Sequence, residues 1–474
     1  MMSPYMYFAT NMANINIYLS QLCKFNSIFF TAFQILFVCL KAMASQQQSP
    51  AATLSPKKKK KKAPSLPPTT ISGLDEDILH EIFVRLPSLP SLVRAAFTCR
   101  TFLDAVRSSP AFRRRFRDLH CSPVLGHFIG NEEDTLIPNF LPLRRRSDPD
   151  LGAVLRGADF FLTRLPVFDQ EDAVPVPDPE EDDDAFPGWS IHDCRDGFLV
   201  LGNWSAEQMA VYNPLTRTMD LFPPPPPHED PDPDGLYHDF HILPSEEDHR
   251  SFRLVCVQHG ETGARALVLS SSDTSSKWQN FPWAHIDGLW PQNGTMVNGC
   301  IYWTIGVPND ARVLNTATMQ FSRIHLPPRR VNTTWKAGET KDGRLCMASV
   351  PFEVQAQRPL DVWFWRADGD GVERWMLDKS LPMQELAEVV QCRIDDDGNA
   401  RVQLNIAAII HGFIYLSAYC GRWQHHHPTF WFLSLCLETG VLNKLGRVLS
   451  GASHPYIMPW PRSLVHNKQS SLSG

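Results

Sequence analysis

The sequence predicts a multidomain α+β protein, in which a small all-α helical module precedes a long, mainly β domain of repeated units. Three observations carry this. An apolar stripe of helical period is confined to residues 71–120, and a glycine-led phrase recurs downstream at a fixed offset. In addition, 39 prolines outnumber 26 glycines, which disfavours an all-helical chain because proline breaks helix interiors and suits turns and strand edges. At 474 residues the chain exceeds one usual core. With 43% hydrophobic and 11% aromatic residues, it has enough apolar surface to exclude a wholly disordered chain. A net charge of −6 gives no global electrostatic case for nucleic acid.

Residues 1–70 read as a leader that is either disordered or, in its first part, not translated. Ile28 to Leu40 is almost unbroken apolar sequence between Lys24 and Lys41. It is short for a bilayer span but suits a signal h-region. The phrase beginning Met43-Ala-Ser resembles an ordinary cytosolic start, which would place residues 1–42 upstream of the true one. The lysine run Lys57–Lys62 reads as a solubilising tail or a nuclear-import patch. Eleven cysteines without a CxxC pair fit reduced thiols. These features imply a cytoplasmic or nuclear protein, with no membrane association if translation starts at Met43. The sequons at Asn203, Asn293 and Asn332 support the alternative, a secretory or membrane-anchored binding protein for carbohydrate or protein.

Residues 71–120 form the helical module. Leu74, Ile78, Ile82 and Leu86 fall on one stripe, with Leu79 and Phe83 beside it. Ser72 and the acidic residues 75–77 suit the helix start, and Pro87 marks its end. Pro90 opens a second run through Leu92, Val93, Ala96 and Phe97, which continues past Arg100 to Phe102 and Val106. Ser109-Pro110 is a cap-and-start signal for a third helix. The order and spacing of these residues resemble an F-box. The resemblance implies a trio of helices that docks onto the Skp-family adaptor of a cullin–RING ubiquitin ligase. It assigns adaptor binding to Leu74, Ile78, Leu79, Ile82, Leu86, Pro87, Leu92, Val93, Cys99 and Phe102. Two departures, Asp75 in place of the usual proline and Phe102 in place of the usual tryptophan, imply reduced adaptor affinity.

Residues 121–474 hold short strand-like runs bounded by turn residues. Asp196-Gly197 followed by Phe198–Leu201 is echoed 102 residues later by Asn298-Gly299 followed by Cys300–Trp303. Val211–Thr216 is echoed by Val313–Thr318 at the same offset. Each unit reads as a turn glycine, a buried strand, a second strand ending in Asn-x-x-Thr and a third ending at proline. The asparagine suits its corner because its side chain bonds nearby backbone. Looser copies follow at 342–347 and 411–416, and another unit falls between Phe252 and Trp283. Such repetition of three- or four-stranded units points to a β-propeller or propeller-like array, with a β-sandwich as the alternative. The Asn213-Pro214-Leu215-Thr216 phrase resembles the F-box-associated domains of plants. At about 45 residues per blade, the length admits up to seven or eight blades. The acidic stretch 169–184 and the proline run Pro223–Pro227 read as exposed, flexible loop insertions.

Candidate chemistry is sparse. His425–His427 cannot converge on one metal ion from a strand, since successive side chains alternate faces. His192-Asp193-Cys194 holds a nucleophile and a base, but a satisfied strand-edge cluster explains it better. Arg113–Arg115 and Arg144–Arg146 read as solvated faces. Phosphate-loop, dinucleotide, zinc-protease and serine-hydrolase motifs are absent from the sequence. Trp278, Trp283, Trp290, Trp363, Trp365 and Trp375 read mostly as packing between blades, a minority as anchors for a bound protein. The expectation is a non-catalytic substrate receptor of an SCF-type ligase. It needs no cofactor and no metal, and it binds an adaptor and an unidentified client protein.

Overall fold

A computed structural model describes residues 75–130, 136–143, 149–167, 188–227, 236–244, 251–260, 263–272, 277–286, 293–304, 310–327, 333–351, 359–390, 402–420, 430–448 and 453–465. Leu74, the leader, the acidic stretch 169–184, Arg144–Arg146, Trp290, Asn332 and His425–His427 lie outside these residues.

The N-terminal unit is helical. Helices α1 (Glu76–Phe83), α2 (Leu89–Ala96), α3 (Arg100–Ser108) and α4 (Pro110–Leu119) follow one another with short joints. Asp75 takes the extended N-cap position of α1 (φ −63°, ψ 146°), and Glu76 and Asp77 place negative charge at its positive end. The run expected from Pro90 to Val106 is broken, so the module has four helices where three were expected. The Thr98 amide turns back to the Ala95 carbonyl, and extended Cys99 starts α3. Ser109 caps α4 as its sequence predicts, accepting the Phe112 amide at 3.1 Å, with Pro110 in the first turn. Leu79, Phe83, Val106, Phe112 and Phe116 are buried. Phe102 meets Phe83 edge-on at 5.2 Å, so phenylalanine keeps an aromatic contact at this position. His80 stacks on Phe112 at 4.7 Å and bonds the Ala105 carbonyl at 2.8 Å.

The second unit is a six-bladed β-propeller. Strands β1 (Val124–Ile129) and β2 (Asn139–Pro142) are followed by helix α5 (Pro149–Gly157). The next blade comprises β3 (Ser190–Arg195), β4 (Phe198–Asn203), β5 (Gln208–Asn213) and β6 (Thr218–Phe222). The following one comprises β7 (Tyr237–Pro244), β8 (Phe252–His259) and β9 (Gly263–Ser270), with β10 (Gln279–Asn280) and β11 (Ala284–His285) both pairing with β9. Next come β12 (Thr295–Val297), β13 (Cys300–Thr304), β14 (Asp310–Asn315) and β15 (Gln320–His325). Then follow β16 (Thr333–Glu339), β17 (Leu345–Pro351), β18 (Leu360–Ala367) and β19 (Glu373–Leu381). Helix α6 (Met383–Val390) leads to β20 (Val402–Ile410), β21 (Phe413–Cys420), β22 (Phe430–Cys436) and β23 (Leu442–Val448). All described pairings are antiparallel, and within these blades, β11 apart, each strand pairs with the one that follows it in the chain.

The ring closes through β24 (Ser453–Ile457), which pairs with β1 in the order β2-β1-β24. The last described strand is therefore held by the first strand of the β domain, so both ends of the domain share one blade. Phe140 and Phe160 stack at 4.0 Å, and Phe160 meets Tyr456 edge-on at 5.2 Å. The Tyr456 hydroxyl donates to the Gly197 carbonyl at 3.0 Å, tying the closing strand to the next blade.

The repeated phrase marks equivalent blade corners. Asp196-Gly197, Asn298-Gly299 and His411-Gly412 each place two successive residues at positive φ, which fits a two-residue hairpin joining the first and second strands. The side-chain oxygen of Asn213 accepts the amides of Leu215 and Thr216, both at 3.1 Å. Asn315 accepts those of Ala317 and Thr318 at 2.9 and 3.2 Å. Of the three- or four-stranded alternatives the four-stranded unit is found: the innermost strand precedes the turn glycine at which the repeated phrase begins. Pro223–Pro227 is pinned where a loose loop was expected, because Pro225 is buried and the Pro223 and Pro226 carbonyls accept Trp278 Nε1 and Gln258 Nε2, both at 3.1 Å. Among the described residues no helix is long and apolar enough to cross a membrane.

Candidate functional site

Two surfaces carry the candidate sites, one on each unit. In the helical unit, the predicted stripe divides in two. Leu79 and Leu92 are interior, at 2% and 0% exposure, so each packs and neither presents a surface. Ile78 is 50% exposed, and Pro87 and Cys99 are exposed. Ile82, Leu86, Val93 and Phe102 are half-buried. The split follows from the helical period, because residues 79 and 83 point inward one turn apart while 78 and 82 sit to one side. Phe97, 53% exposed, is an apolar surface residue that the sequence reading left unassigned. Two arginines of α4 are engaged within the module: Arg115 pairs with Glu81, and Arg113 donates to the Val106 carbonyl.

In the propeller, the inner strands of all six blades (β3, β7, β12, β16, β20 and β24) surround an axial cavity of about 430 Å³. Its polar lining includes His192, Asp193, Arg195, His241, Lys336 and His454. The sequence cluster His192-Asp193-Cys194 thus lies on an edge strand facing the axis. Asp193 accepts the amides of Cys194 and Ile242 at 2.8 and 2.9 Å, which fixes it in place. Burial pushes the Cys194 thiol well above its ordinary range, and its sulfur points to the Pro455 carbonyl at 3.6 Å. A protonated, engaged thiol is a poor nucleophile.

Beside the cavity lies a buried polar hub invisible to sequence reasoning. Asp239, 3% exposed, accepts His241 Nε2 at 3.0 Å, the Gly294 amide at 2.7 Å and Trp303 Nε1 at 2.6 Å. Burial alone would raise the Asp239 carboxyl, but the His241 charge and these three donors outweigh it and pull it down to about 2. For His241, burial opposes the charged form and Asp239 overrides it, so its value rises. Because residues of different blades meet here, only the folded ring assembles the hub.

The tryptophans serve mainly as packing. Trp365 and Trp375 face each other across the β18–β19 register at 5.1 Å, and Trp375 donates to the His325 carbonyl at 2.6 Å. Trp204, absent from the sequence selection, is 42% exposed beside His192 and His238. Asn203 is buried and accepts the Ala206 amide, leaving no room for a glycan in the folded chain.

A helical F-box region followed by a six-bladed ring defines an F-box protein of the propeller type. Residues 71–114 match the F-box domain. Residues 190–463, more than half of the chain, match the family described as F-box protein AT5G49610-like, beta-propeller, and the chain belongs to that family. No curated protein sequence matches it. Similar solved structures include a protein from Lactobacillus plantarum (11% identity, 58% of this chain and 72% of that one, TM-score 0.31). Another is a functionally unknown protein from Desulfotomaculum acetoxidans (14% identity, 57% and 76%, TM-score 0.33). A third is the WD40 domain of SCAP from fission yeast (8% identity, 53% and 73%, TM-score 0.25). Likenesses this remote carry no argument about what the chain binds.

Proposed function

We propose that the chain is the substrate-receptor subunit of an SCF-type ubiquitin ligase. The F-box region holds a Skp-family adaptor, and through it the cullin–RING assembly, while the propeller holds a client protein. The observation that carries the reading is the F-box match at residues 71–114 on the same chain as a closed propeller. Ile78, Ile82, Leu86, Pro87, Val93, Cys99 and Phe102 supply the docking surface. Leu79 and Leu92 support it from within. An exposed isoleucine such as Ile78 has a clear use if a partner covers it.

The mechanism is proximity. Tethering raises the client's effective concentration near the reactive thioester and supplies no catalytic group of its own. The protonated thiols of half-buried Cys194 and buried Cys256 and Cys346 fit a non-catalytic role. The seven cysteines whose side chains are described are free, which suits a cytoplasmic or nuclear setting.

The test is co-purification of a Skp-family adaptor with the full chain and with Ile78→Asp. Ile78 is half exposed, so aspartate there leaves the fold intact while placing a charge in the proposed interface. Loss of adaptor from the variant is the expected result. Equal recovery by both chains refutes the assignment.

A further inference from the structure

We propose that the axial cavity of the propeller binds a small aliphatic monocarboxylate, with its carboxylate on Lys336 and Ser453 and its hydrocarbon body against Met296 and Ile406. This site is separate from the adaptor surface and does not depend on ligase membership.

The argument begins with charge. Lys336 lies on inner strand β16 and lines the cavity. Its ammonium reaches the Asn293 carbonyl at 3.4 Å. Among the described residues, no carboxylate lies within ion-pair distance of it. The neighbouring carboxylates are occupied, Asp239 by His241, Gly294 and Trp303, and Asp193 by two backbone amides. Arg195, the other cation of the lining, faces Glu339 at 3.9 Å and Asp196 at 3.7 Å. Lys336 therefore makes no ion pair of its own in a partly enclosed space, and the more distant Asp239 and Asp193 charges only partly offset the lowering that its burial causes. An ionic hydrogen bond there is stronger than in water.

A second, independent observation comes from β24. Ser453 is only 8% exposed and lines the same cavity, yet its hydroxyl has no hydrogen-bond partner among the described residues. A buried hydroxyl without a partner is costly, and an acceptor placed in the cavity removes that cost. Next to it, His454 has no hydrogen bond among the described residues. Burial first, and then the nearby Lys336 charge, holds its imidazole neutral, at about 4. A neutral imidazole can also donate to an acceptor.

Shape and polarity narrow the ligand class. Strand β20 has a bulge between Ile406 and Ala408, so the small side chains of Ala407 and Ala408 line the cavity where larger ones would fill it. Met296 and Ile406 add an apolar wall. A volume of about 430 Å³ lies within the range of small-molecule sites. A single cation without an ion-pair partner suits a monoanion, whereas a dianionic phosphate would bring excess charge towards Asp193.

The test uses the full chain with sodium hexanoate as probe and hexanamide as its neutral twin, read by ligand-observed NMR and calorimetry. Saturable hexanoate binding, at least about tenfold stronger than that of hexanamide, is expected. Lys336→Met should weaken hexanoate by about tenfold or more, Lys336→Arg should retain it, and Ser453→Ala should cost about three- to fivefold. Should Lys336→Met fail to fold, the hexanoate–hexanamide ratio on the unaltered chain decides the matter. A leucine-terminated peptide with a free or amidated C-terminus tests the other source of a carboxylate, the end of a protein chain. Binding by the free-ended peptide without hexanoate overturns the small-acid assignment. Equal binding of acid and amide, or no saturation by about 10 mM, also overturns it.

Discussion

Asp239 is the residue whose removal tests the propeller most severely. It joins β7 to β12 and β13 by accepting from His241, Gly294 and Trp303 at 2.6–3.0 Å, while 3% exposed. Asp239→Ala leaves a charged imidazole and two N–H groups buried without their acceptor. Removing one partner of a buried pair costs about 3–5 kcal/mol, much of it from the charge left behind. With m near about 3 kcal/mol/M, a loss of about 4 kcal/mol lowers the urea midpoint by about 1.3 M. Equilibrium urea unfolding followed by tryptophan fluorescence measures this.

The same hub predicts a pH profile. The Asp239 carboxyl falls from 3.8 to about 2 on folding, so its contribution is present above about pH 4 and is lost as pH falls towards 2. That contribution is about 2 kcal/mol. His241 is raised on folding, so its share is complete below its ordinary 6.5 and is lost as pH rises through the folded value. The two shifts describe one shared interaction, whose full strength lies between about pH 4 and pH 6.5. A loss under about 1 kcal/mol for Asp239→Ala, or pH dependence in this window identical for the variant and the unaltered chain, refutes the reasoning.

Two further predictions concern closure and thiol reactivity. Tyr456→Phe keeps the edge-on ring contact but removes the hydroxyl bond to Gly197, and should cost about 1–2 kcal/mol in urea unfolding with m unchanged. A variant as stable as the parent shows that this bond does not hold the ring shut. Brief alkylation of the native chain followed by peptide mass spectrometry should label exposed Cys99 and spare buried Cys256 and Cys346, which label only in denaturant. Equal native labelling of Cys256 and Cys99 contradicts the burial described here.

Legibility in the sequence follows the range of the interaction. Ser109-Pro110 and the Asp196-Gly197 corner were readable because the residues that form each feature are adjacent in the chain. The Asn213 and Asn315 turns were readable for the same reason. The innermost strand of each blade was legible only as an open alternative, because β3 and β12 precede the repeated phrase and vary between blades. Blade number was equally hidden. The C-terminal strand completes the blade begun by β1, and nothing local in Ser453–Ile457 declares that partner. The pinning of Pro223–Pro227 depends on Trp278 and Gln258, some 30 to 55 residues away.

The sequence by itself determined the order of the parts, the F-box pattern and the corner residues of the repeat, because helical period and turn chemistry act within a few residues. Only the tertiary structure decided that there are six blades, that Leu79 points inward while Ile78 faces out, and that Asp239, His241 and Trp303 share one hub. It also brought Lys336 and Ser453, 117 positions apart in the chain, to a single cavity. A closed ring gathers one strand from each blade around its axis. What lines that axis is therefore set by how many blades close and in what register, neither of which is a local property of the chain.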